Sequence, residues 1–463
     1  MRKLTLLLAL ASVAALYAPA HADGEAKNVI FFLGDGMGPA TVTATRIYKY
    51  GEDGKLHMES LPRTARIRTY AHDAQTTDSA PSMAAYMTGV KMNNEVISMT
   101  AETTAVPPGG GGTVNNCGTS NGAAVATLLE MAKTHGKAVG AVTTTRVTHA
   151  TPATTYSHIC HRDLENDIAA QVVPGGAGYN AQLGTGLDVL FGGGRRHFLP
   201  NTVTGGKRTD GRNLVDELVA GGYTYVADKA GLTAIDPTRV TRAVGLFNLS
   251  HLNYELDRGP TAEPSLAEMT TKAIDILSRN QGGYFLMVEG GRIDHALHAT
   301  NAIRAVTDAV AFDDAIQAAL DKVDLANTLI VVTADHDHTM VINGYSRRAG
   351  PTTPTSAGIL GVVKDIVTGE PSRDAENMPY SVLSFGNGEN RVAGARSTMP
   401  PLTDDVASAP GYHQEAGVKM GLESETHGGG DIMLMASGAG ATRFKGTMVN
   451  TRVFALVKQA LGF

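Results

Sequence analysis

Short, nearly continuous apolar segments alternate with helical segments along most of this 463-residue chain. The segments that we interpret as strands are Asn28–Leu33, Ala138–Thr143, Asp188–Phe191, Tyr284–Val288 and Thr328–Val332. Helices are predicted from about Ala40 and over Gly122–His135, Leu266–Arg279 and Ala296–Val323. Strands that are apolar throughout are buried on both faces, and their alternation with helices is typical of a parallel sheet. We therefore expect an α/β fold with one large, mostly parallel sheet flanked by helices on both faces.

Residues 339–426 interrupt this alternation. They are rich in Gly, Pro, Ser and Thr and contain one clear strand candidate, Tyr380–Phe385. Their apolar residues are too frequent for a disordered linker, so we interpret the segment as an inserted subdomain. The alternation resumes at Asp431–Met435 and ends in a helix predicted near Thr451–Leu461.

The first 22 residues have the pattern of a secretory signal peptide. Arg2 and Lys3 precede an apolar run from Leu4 to Leu16, and an Ala-x-Ala sequence ends at Ala22. That run is too short to span a bilayer, and no later segment approaches 18 consecutive apolar residues. We expect cleavage before Asp23, a catalytic domain over residues 23–463, and an exported protein, periplasmic or secreted, without a membrane anchor.

The charge and the cysteine content limit the possible partners of the protein and predict a disulfide. The net charge of −6 becomes −8 without residues 1–22, which carry two basic residues and no acidic one. Mild acidity without a basic patch argues against a nucleic-acid partner. The only cysteines are Cys117 and Cys160, and export favours their pairing in a disulfide.

Ser79 follows a carboxylate at a predicted junction between a loop and a helix. The sequence Thr76-Thr77-Asp78-Ser79-Ala80-Pro81-Ser82 precedes residues with helical character. The N-terminus of a helix carries unpaired N–H groups and a positive dipole, which suit a dianion such as phosphate. On this segment alone, an Asp or Ser N-cap with proline in the first turn explains the pattern equally well.

Residues with metal-binding side chains follow several predicted strands, where the carboxyl ends of a parallel sheet form ligand sites. They are Asp35, His149, Thr151, Glu289, Asp294, Asp335 and His336. Any single one could be a turn former or a helix cap. Four strand ends with such residues instead predict a metal site, with Ser79 as a metal-activated nucleophile.

Ligand chemistry separates these residues into two kinds of site. Asp294 and His298 are spaced i, i+4, which puts both on one helix face and suits a single zinc ion. Asp335, His336 and the distant His427 add carboxylate and imidazole groups. A set of oxygen ligands such as Asp35, Thr151 and Glu289 suits magnesium. Arg162 could grip two phosphate oxygens, although alone it would more simply form a surface ion pair.

Four motifs closely resemble those of alkaline phosphatases, and the similarity runs from about Asn28 to the C-terminus. The motifs are Asp78-Ser79-Ala80, Glu289-Gly290-Gly291-Arg292-Ile293-Asp294-His295, Thr333-Ala334-Asp335-His336 and Glu425-Thr426-His427-Gly428-Gly429. The resemblance implies two zinc sites, one of Asp294, His298 and His427 and one of Asp35, Asp335 and His336. It further implies one magnesium site of Asp35, Thr151 and Glu289, and Arg162 as the phosphate-binding residue.

The resemblance extends to other features of the family. His149 and His295 occupy positions that vary among alkaline phosphatases. By the resemblance, they would either bind the third metal directly or lie next to its ligands. The third metal would be magnesium or, alternatively, zinc. The region around Tyr380–Asn387 resembles the crown insertion of the animal enzymes, and the family implies a homodimer. The expected function is hydrolysis of a broad range of phosphate monoesters through a phosphoserine. The alternatives are a related phosphodiesterase or sulfatase, or a metal-binding or phosphate-binding protein without turnover.

Overall fold

This computed structural model describes residues 25–463, and the predicted signal peptide lies outside these residues. A ten-stranded sheet forms the centre of the described part. In chain order, the strands of the described residues are β1 (Asn28–Gly34), β2 (Arg63–Arg68), β3 (Ala138–Arg146), β4 (Val189–Gly193), β5 (Thr224–Val226), β6 (Ala243–Leu246), β7 (Tyr284–Gly290), β8 (Thr328–Ala334), β9 (Asp337–His338), β10 (Met340–Ile342), β11 (Leu383–Gly388), β12 (Ala416–Lys419), β13 (His427–Gly428), β14 (Ile432–Gly438) and β15 (Gly446–Val449). The order in the large sheet is β15-β2-β14-β8-β1-β7-β3-β4-β6-β5, and β14 alone runs antiparallel to its neighbours. The prediction of a large, mostly parallel sheet is confirmed.

The centre of the sheet is formed by β1 between β7 and β8. All of β7 and β8, and β1 beyond its first residue, are buried, which explains their unbroken apolar sequences. Gly34 at the end of β1 pairs with Gly290 of β7 and Ala334 of β8. The carboxyl ends of three strands therefore lie side by side, and the polar residues that follow them share one edge of the sheet.

Helices cover the sheet in two packed groups. In chain order they are α1 (Pro39–Tyr50), α2 (Ser79–Thr88), α3 (Leu128–Thr134), α4 (Ala150–Ala153), α5 (Glu165–Gln171), α6 (Leu214–Ala220), α7 (Lys229–Ala234), α8 (Glu255–Arg258), α9 (Leu266–Leu277), α10 (Arg292–His298), α11 (Ala302–Leu320), α12 (Asp404–Ala407) and α13 (Asn450–Ala460). One group joins α1, α9, α10 and α11, and the other joins α2, α3, α4 and α13. None of the helices within residues 25–463 is both long and apolar enough to cross a bilayer.

Two predicted helices differ from the observed ones. The predicted helix Gly122–His135 forms only as α3, because a capping box between Thr127 and Glu130 starts the helix there. The predicted helix Ala296–Val323 is two helices, α10 and α11, separated at Thr300, which has a positive φ of 51°. Asp294 and His298 therefore lie on α10, a short helix of their own, rather than at the start of a long one.

Much of the segment 339–426 lies outside the large sheet. Strands β10, β11 and β12 form a separate three-stranded sheet, and β9 and β13, which flank the segment, pair in a two-stranded one. The predicted strand Tyr380–Phe385 is observed as β11, which starts three residues later, at Leu383. The predicted disulfide between Cys117 and Cys160 is also present.

Candidate active site and metal centre

The site lies at the carboxyl edge of the central strands. Asp35 follows β1, Glu289 lies near the end of β7, and Asp335 and His336 follow β8 directly. The side chains of all four are completely or almost completely buried. The parallel pairing of these strands, which the sequence predicted, is the reason that residues 300 positions apart meet at one place.

Ser79 is the first residue of α2. Asp78 is the N-cap, and its side-chain Oδ2 accepts a hydrogen bond from the Ala80 N–H at 3.3 Å. The Ser79 hydroxyl lies 3.2 Å from Nε2 of His336 and 3.5 Å from Oδ1 of Asp35. The serine is therefore at a helix N-terminus, as predicted, and in direct contact with the metal-type side chains.

One cluster beside Ser79 combines Asp35, Asp335 and His336. Nε2 of His336 lies 3.4 Å from Oδ1 of Asp35 and 3.5 Å from Oδ2 of Asp335. The Asp335 Oδ2 atom is buried and has no hydrogen-bond partner among the described residues. Burial, together with the charges of neighbouring carboxylates, raises the pKa of Asp35 well above its usual value. A divalent cation would supply the missing partner and neutralise the repulsion.

A second cluster is centred on Asp294. Its Oδ1 lies 3.3 Å from Nε2 of His298 and 3.6 Å from Nε2 of His427, and these two nitrogens are 3.2 Å apart. Burial opposes ionisation of Asp294, yet the nearby imidazoles of His298 and His338 hold its pKa well below the usual value. The three residues that the resemblance assigned to one zinc thus converge, although they come from α10 and β13.

The predicted imidazole ligands are oriented by main-chain carbonyl groups. Burial lowers the pKa of His336 and of His427 to about 3, so that both rings are neutral. The rings of His336, His427 and His298 each contact a backbone oxygen through Nδ1, while Nε2 points into the site. The oxygens belong to Asp337 (3.2 Å from His336), Thr77 (2.8 Å from His427) and Glu425 (for His298). A carbonyl on one ring nitrogen fixes the tautomer that leaves the other free to bind a metal. These donors fit zinc.

Two residues of this region, His338 and Glu425, were not among the site residues predicted from the sequence. Nε2 of His338 lies 2.7 Å from Oδ1 of Asp294, and its Nδ1 lies 2.6 Å from Oε2 of Glu425. The two carboxylates raise the pKa of the buried His338 ring to about 10, despite the opposing effect of burial. The sequence spacing could have predicted both residues. His338 is two residues after His336, and Glu425 is two residues before His427. Alternate residues of an extended chain lie on the same side, so each is placed next to a predicted ligand.

The third cluster contains Asp35, His149 and Glu289. Thr151 lies beside it, with Oγ1 3.4 Å from Oδ2 of Asp35. Oε1 of Glu289 and Nδ1 of His149 are buried without a hydrogen-bond partner among residues 25–463, while Oε2 of Glu289 accepts a hydrogen bond from Thr145 at 3.1 Å. Unpaired carboxylate and imidazole atoms facing a hydroxyl group fit a cation with mixed oxygen and nitrogen ligands.

Arg162 borders both the serine and the third cluster. Its Nη1 pairs with Oδ1 of Asp78, and its Nη2 lies 2.9 Å from Nε2 of His149. The guanidinium side chain is 16% exposed and thus reachable by a substrate. Arg162 does form an ion pair, as considered from the sequence, but its partner is the N-cap residue of the Ser79 helix and both side chains are largely buried.

His295 lies farther from the clusters than the other predicted residues. Its ring centroid is 5.3 Å from that of His149 and 4.3 Å from that of His251, a residue that no sequence pattern indicated. Its Nδ1 lies 2.9 Å from Nη1 of Arg292, and burial lowers its pKa to about 3. Within the described residues, His295 belongs to none of the metal-type clusters and borders the third one.

Comparisons with known proteins find similar proteins over nearly the whole described chain. The sequence model of the family "Alkaline phosphatase" matches residues 26–463. The membrane-bound alkaline phosphatase of Bombyx mori is 37% identical over 94% of this chain and 80% of its own length. The tissue-nonspecific alkaline phosphatase of Homo sapiens is 36% identical over 89% and 79%, respectively. The alkaline phosphatase structure from Thermus thermophilus superposes with a TM-score of 0.67 at 26% identity, covering 95% of this chain and 92% of that one.

The family match and these relatives identify a hydrolase of phosphoric monoesters, and the buried carboxylate and imidazole clusters beside Ser79 provide candidate metal sites for it. The family match over nearly all of residues 25–463 and the relatives above 30% identity make the assignment specific. This chain belongs to the alkaline phosphatase family.

Proposed function

We propose that this protein hydrolyses a broad range of phosphate monoesters in two steps, with Ser79 carrying the phosphoryl group between them. The observation that carries the proposal is the contact of 3.2 Å between Oγ of Ser79 and Nε2 of His336, where the serine borders a set of metal-type ligands. Ser79 Oγ would attack phosphorus and form a phosphoserine as the alcohol leaves. Water would then release phosphate and restore the serine.

Individual residues have distinct roles in this reaction. The guanidinium of Arg162, held by Asp78, would bind two oxygens of the phosphate and stabilise charge on them in the transition state. The N-terminus of α2 adds backbone N–H groups and a positive dipole beside the same anion. The roles proposed for these groups all concern the phosphate rather than the alcohol, which supports broad substrate tolerance.

We further propose two zinc ions and one magnesium ion per chain. Asp294, His298 and His427 would hold one zinc, and Asp35, Asp335 and His336 the other. Asp35, Thr151 and Glu289 would hold magnesium or, alternatively, zinc. When bound, the ions would lower the pKa of the serine hydroxyl and polarise phosphate oxygens.

Export, the insertion and dimerisation complete the proposal. The signal-like residues 1–22 and the disulfide support a periplasmic or secreted protein. The separate sheet within residues 339–426 supports a crown-like insertion in a catalytic domain of residues 23–463. This insertion exposes large apolar side chains, including Tyr345 at 94% and Leu422 at 77%, which support a homodimer interface. Sedimentation at micromolar concentration tests the dimer, and a monomer would contradict it.

Trapping of the phosphoenzyme tests the reaction itself. The purified, metal-loaded protein would be quenched in acid during turnover of 4-nitrophenyl phosphate, and its peptides would be analysed by mass spectrometry. We expect phosphate on the Ser79 peptide, with hydrolysis of the monoester far exceeding that of bis(4-nitrophenyl) phosphate or a sulfate ester. Turnover without any phosphoserine would contradict the two-step scheme, and an absence of turnover would favour a binding protein.

A further inference from the structure

The segment that carries Arg162 is paired with an upstream segment. Ile97 and Ile159 exchange two backbone hydrogen bonds of 3.0 Å, and the Arg162 N–H donates to the Glu95 carbonyl at 2.8 Å. Glu95 therefore lies across a short antiparallel ladder from the phosphate-binding arginine. This position is outside all the motifs that the sequence indicated.

The backbone of Glu95 is fixed in an unusual conformation. Its φ of 71° lies in the left-handed region, which side chains other than glycine seldom adopt. The Glu95 N–H donates to Oδ2 of Asp78 at 3.2 Å, while Oδ1 of the same carboxylate pairs with Arg162. Asp78 and Arg162 thus both hold the backbone of Glu95, and strained backbone that persists is often found at functional positions.

The Glu95 carboxylate itself has no hydrogen-bond or ion-pair partner among the described residues, although the residue is only partly exposed. The charged groups that face it are Asp78, Arg162 and Asp163. Arg162 pairs with Asp78 and also lowers the pKa of Glu95, so two carboxylates share one guanidinium and the charge of Glu95 is only partly offset. Burial, and next the charge of Asp78, raise the pKa of Glu95 to about 7, so that the group is ionised in alkaline solution.

We propose that the Glu95 carboxylate is a specificity-determining group that disfavours substrates with an anionic leaving group and favours those with a neutral or cationic one. This inference rests on the proposed function, because it concerns the alcohol part of the monoester bound at Ser79 and Arg162. The effect of this negative charge on the phosphate is common to all monoesters, whereas its repulsion of a second anionic group differs from one ester to another. It therefore acts on the preference among esters rather than on bond cleavage.

Three matched esters test the proposal: 4-carboxyphenyl, 4-nitrophenyl and 4-(trimethylammonio)phenyl phosphate. The variant Glu95→Gln removes the charge and keeps both backbone hydrogen bonds. We expect its kcat/KM for the carboxyphenyl ester, relative to the nitrophenyl ester, to rise roughly three- to tenfold over wild type at low salt. The relative value for the cationic ester should fall, and both changes should shrink at high salt.

Two further variants separate charge from structure. Glu95→Asp keeps the charge and should retain the wild-type preference, and Glu102→Gln, on the same segment but exposed, should leave the preference unchanged. Unaltered ester preference in Glu95→Gln, or an equal loss for all three esters, would overturn the assignment while the phosphatase function stood. A wild-type protein inactive on 4-nitrophenyl phosphate would instead refute the proposed function and this inference together.

Discussion

Oγ of Ser79 lies 3.2 Å from Nε2 of His336, a side chain that is completely buried 257 residues further along the chain. The contact joins the N-terminus of α2 to the end of β8 and places the serine at the border of the cluster of Asp35, Asp335 and His336. The position of the serine therefore depends on the sheet as much as on its own helix.

The variant Ser79→Ala should lose most of its turnover. With the hydroxyl absent, only direct attack by water remains, so we expect kcat for 4-nitrophenyl phosphate to fall by about 10³-fold or more. Fold and metal content should change little, because the Asp78 cap of α2 is retained. Circular dichroism and elemental analysis serve as controls, and turnover near the wild-type rate would rule out a covalent route through Ser79.

Metal removal should abolish activity and make stability depend on pH. Burial raises the pKa of Asp35 and Asp335 above their usual range, and that of Glu289 to about 7. The folded, metal-free protein therefore binds protons that the unfolded chain has released above about pH 4. Its unfolding free energy should fall as the pH rises through these folded-state values, whereas bound cations should suppress the fall.

Thermal melts of chelator-treated and metal-loaded protein between about pH 5 and about pH 8 would measure this difference. We expect the gap between the two melting temperatures to widen with pH, and Zn²⁺ plus Mg²⁺ to restore activity and close the gap. Elemental analysis of the restored protein should give about two zinc and one magnesium per chain. A metal-free preparation with full activity would refute metal dependence.

The elements and residues predicted from the sequence are those determined by local patterns. The apolar runs of β1, β7 and β8 predicted the parallel sheet, and the parallel sheet in turn predicted that Asp35 and Glu289 lie at the same edge. The i, i+4 spacing of Asp294 and His298 survives on α10 because it needs a single helical turn.

The features that the sequence did not predict depend on distant pairings or on exposed strands. β2, over Arg63–Arg68, is a strand whose exposed side carries arginines, so that its pattern resembles a loop. His338 meets Asp294 because β9 pairs with β13, where His338 lies opposite His427. The break before α11 needs Thr300 in a left-handed conformation, which its residue type does not indicate.

The disulfide should stabilise the fold and help to position Arg162. Cys160 lies two residues before Arg162, on the segment that pairs with Glu95–Ile97, and Cys117 anchors it 43 residues away in sequence. Replacing both cysteines by serine should lower the unfolding free energy by about 4 kcal/mol in the chain-entropy description of a loop of this length. KM should rise more than kcat falls, because Arg162, which we propose binds the substrate phosphate, becomes less ordered.

Denaturant unfolding and steady-state kinetics would measure both effects. Titration of the denatured, non-reduced wild-type protein should detect no free thiol. The disulfide lines a surface cavity of about 710 Å³, so mild reductant should reproduce the effect in wild type and leave the serine variant unaltered. Equal stability and equal KM in wild type and the double variant would exclude this role for the disulfide.

The third cluster gives the last prediction, which concerns magnesium affinity. Nδ1 of His149 is buried without a partner among the described residues and lies with the carboxylates of Asp35 and Glu289. Burial, and next the charge of Arg162, hold the pKa of His149 well below its usual value, so that the ring contributes no charge to the site.

His149→Asp would add a carboxylate, which Mg²⁺ prefers to imidazole, and should tighten magnesium binding at least about tenfold. His149→Asn is the neutral control and should not tighten it. Titration of zinc-loaded, magnesium-free protein by calorimetry would compare the three proteins, and an Asp variant with unchanged or weaker affinity would show that the charge of this residue does not control the third site.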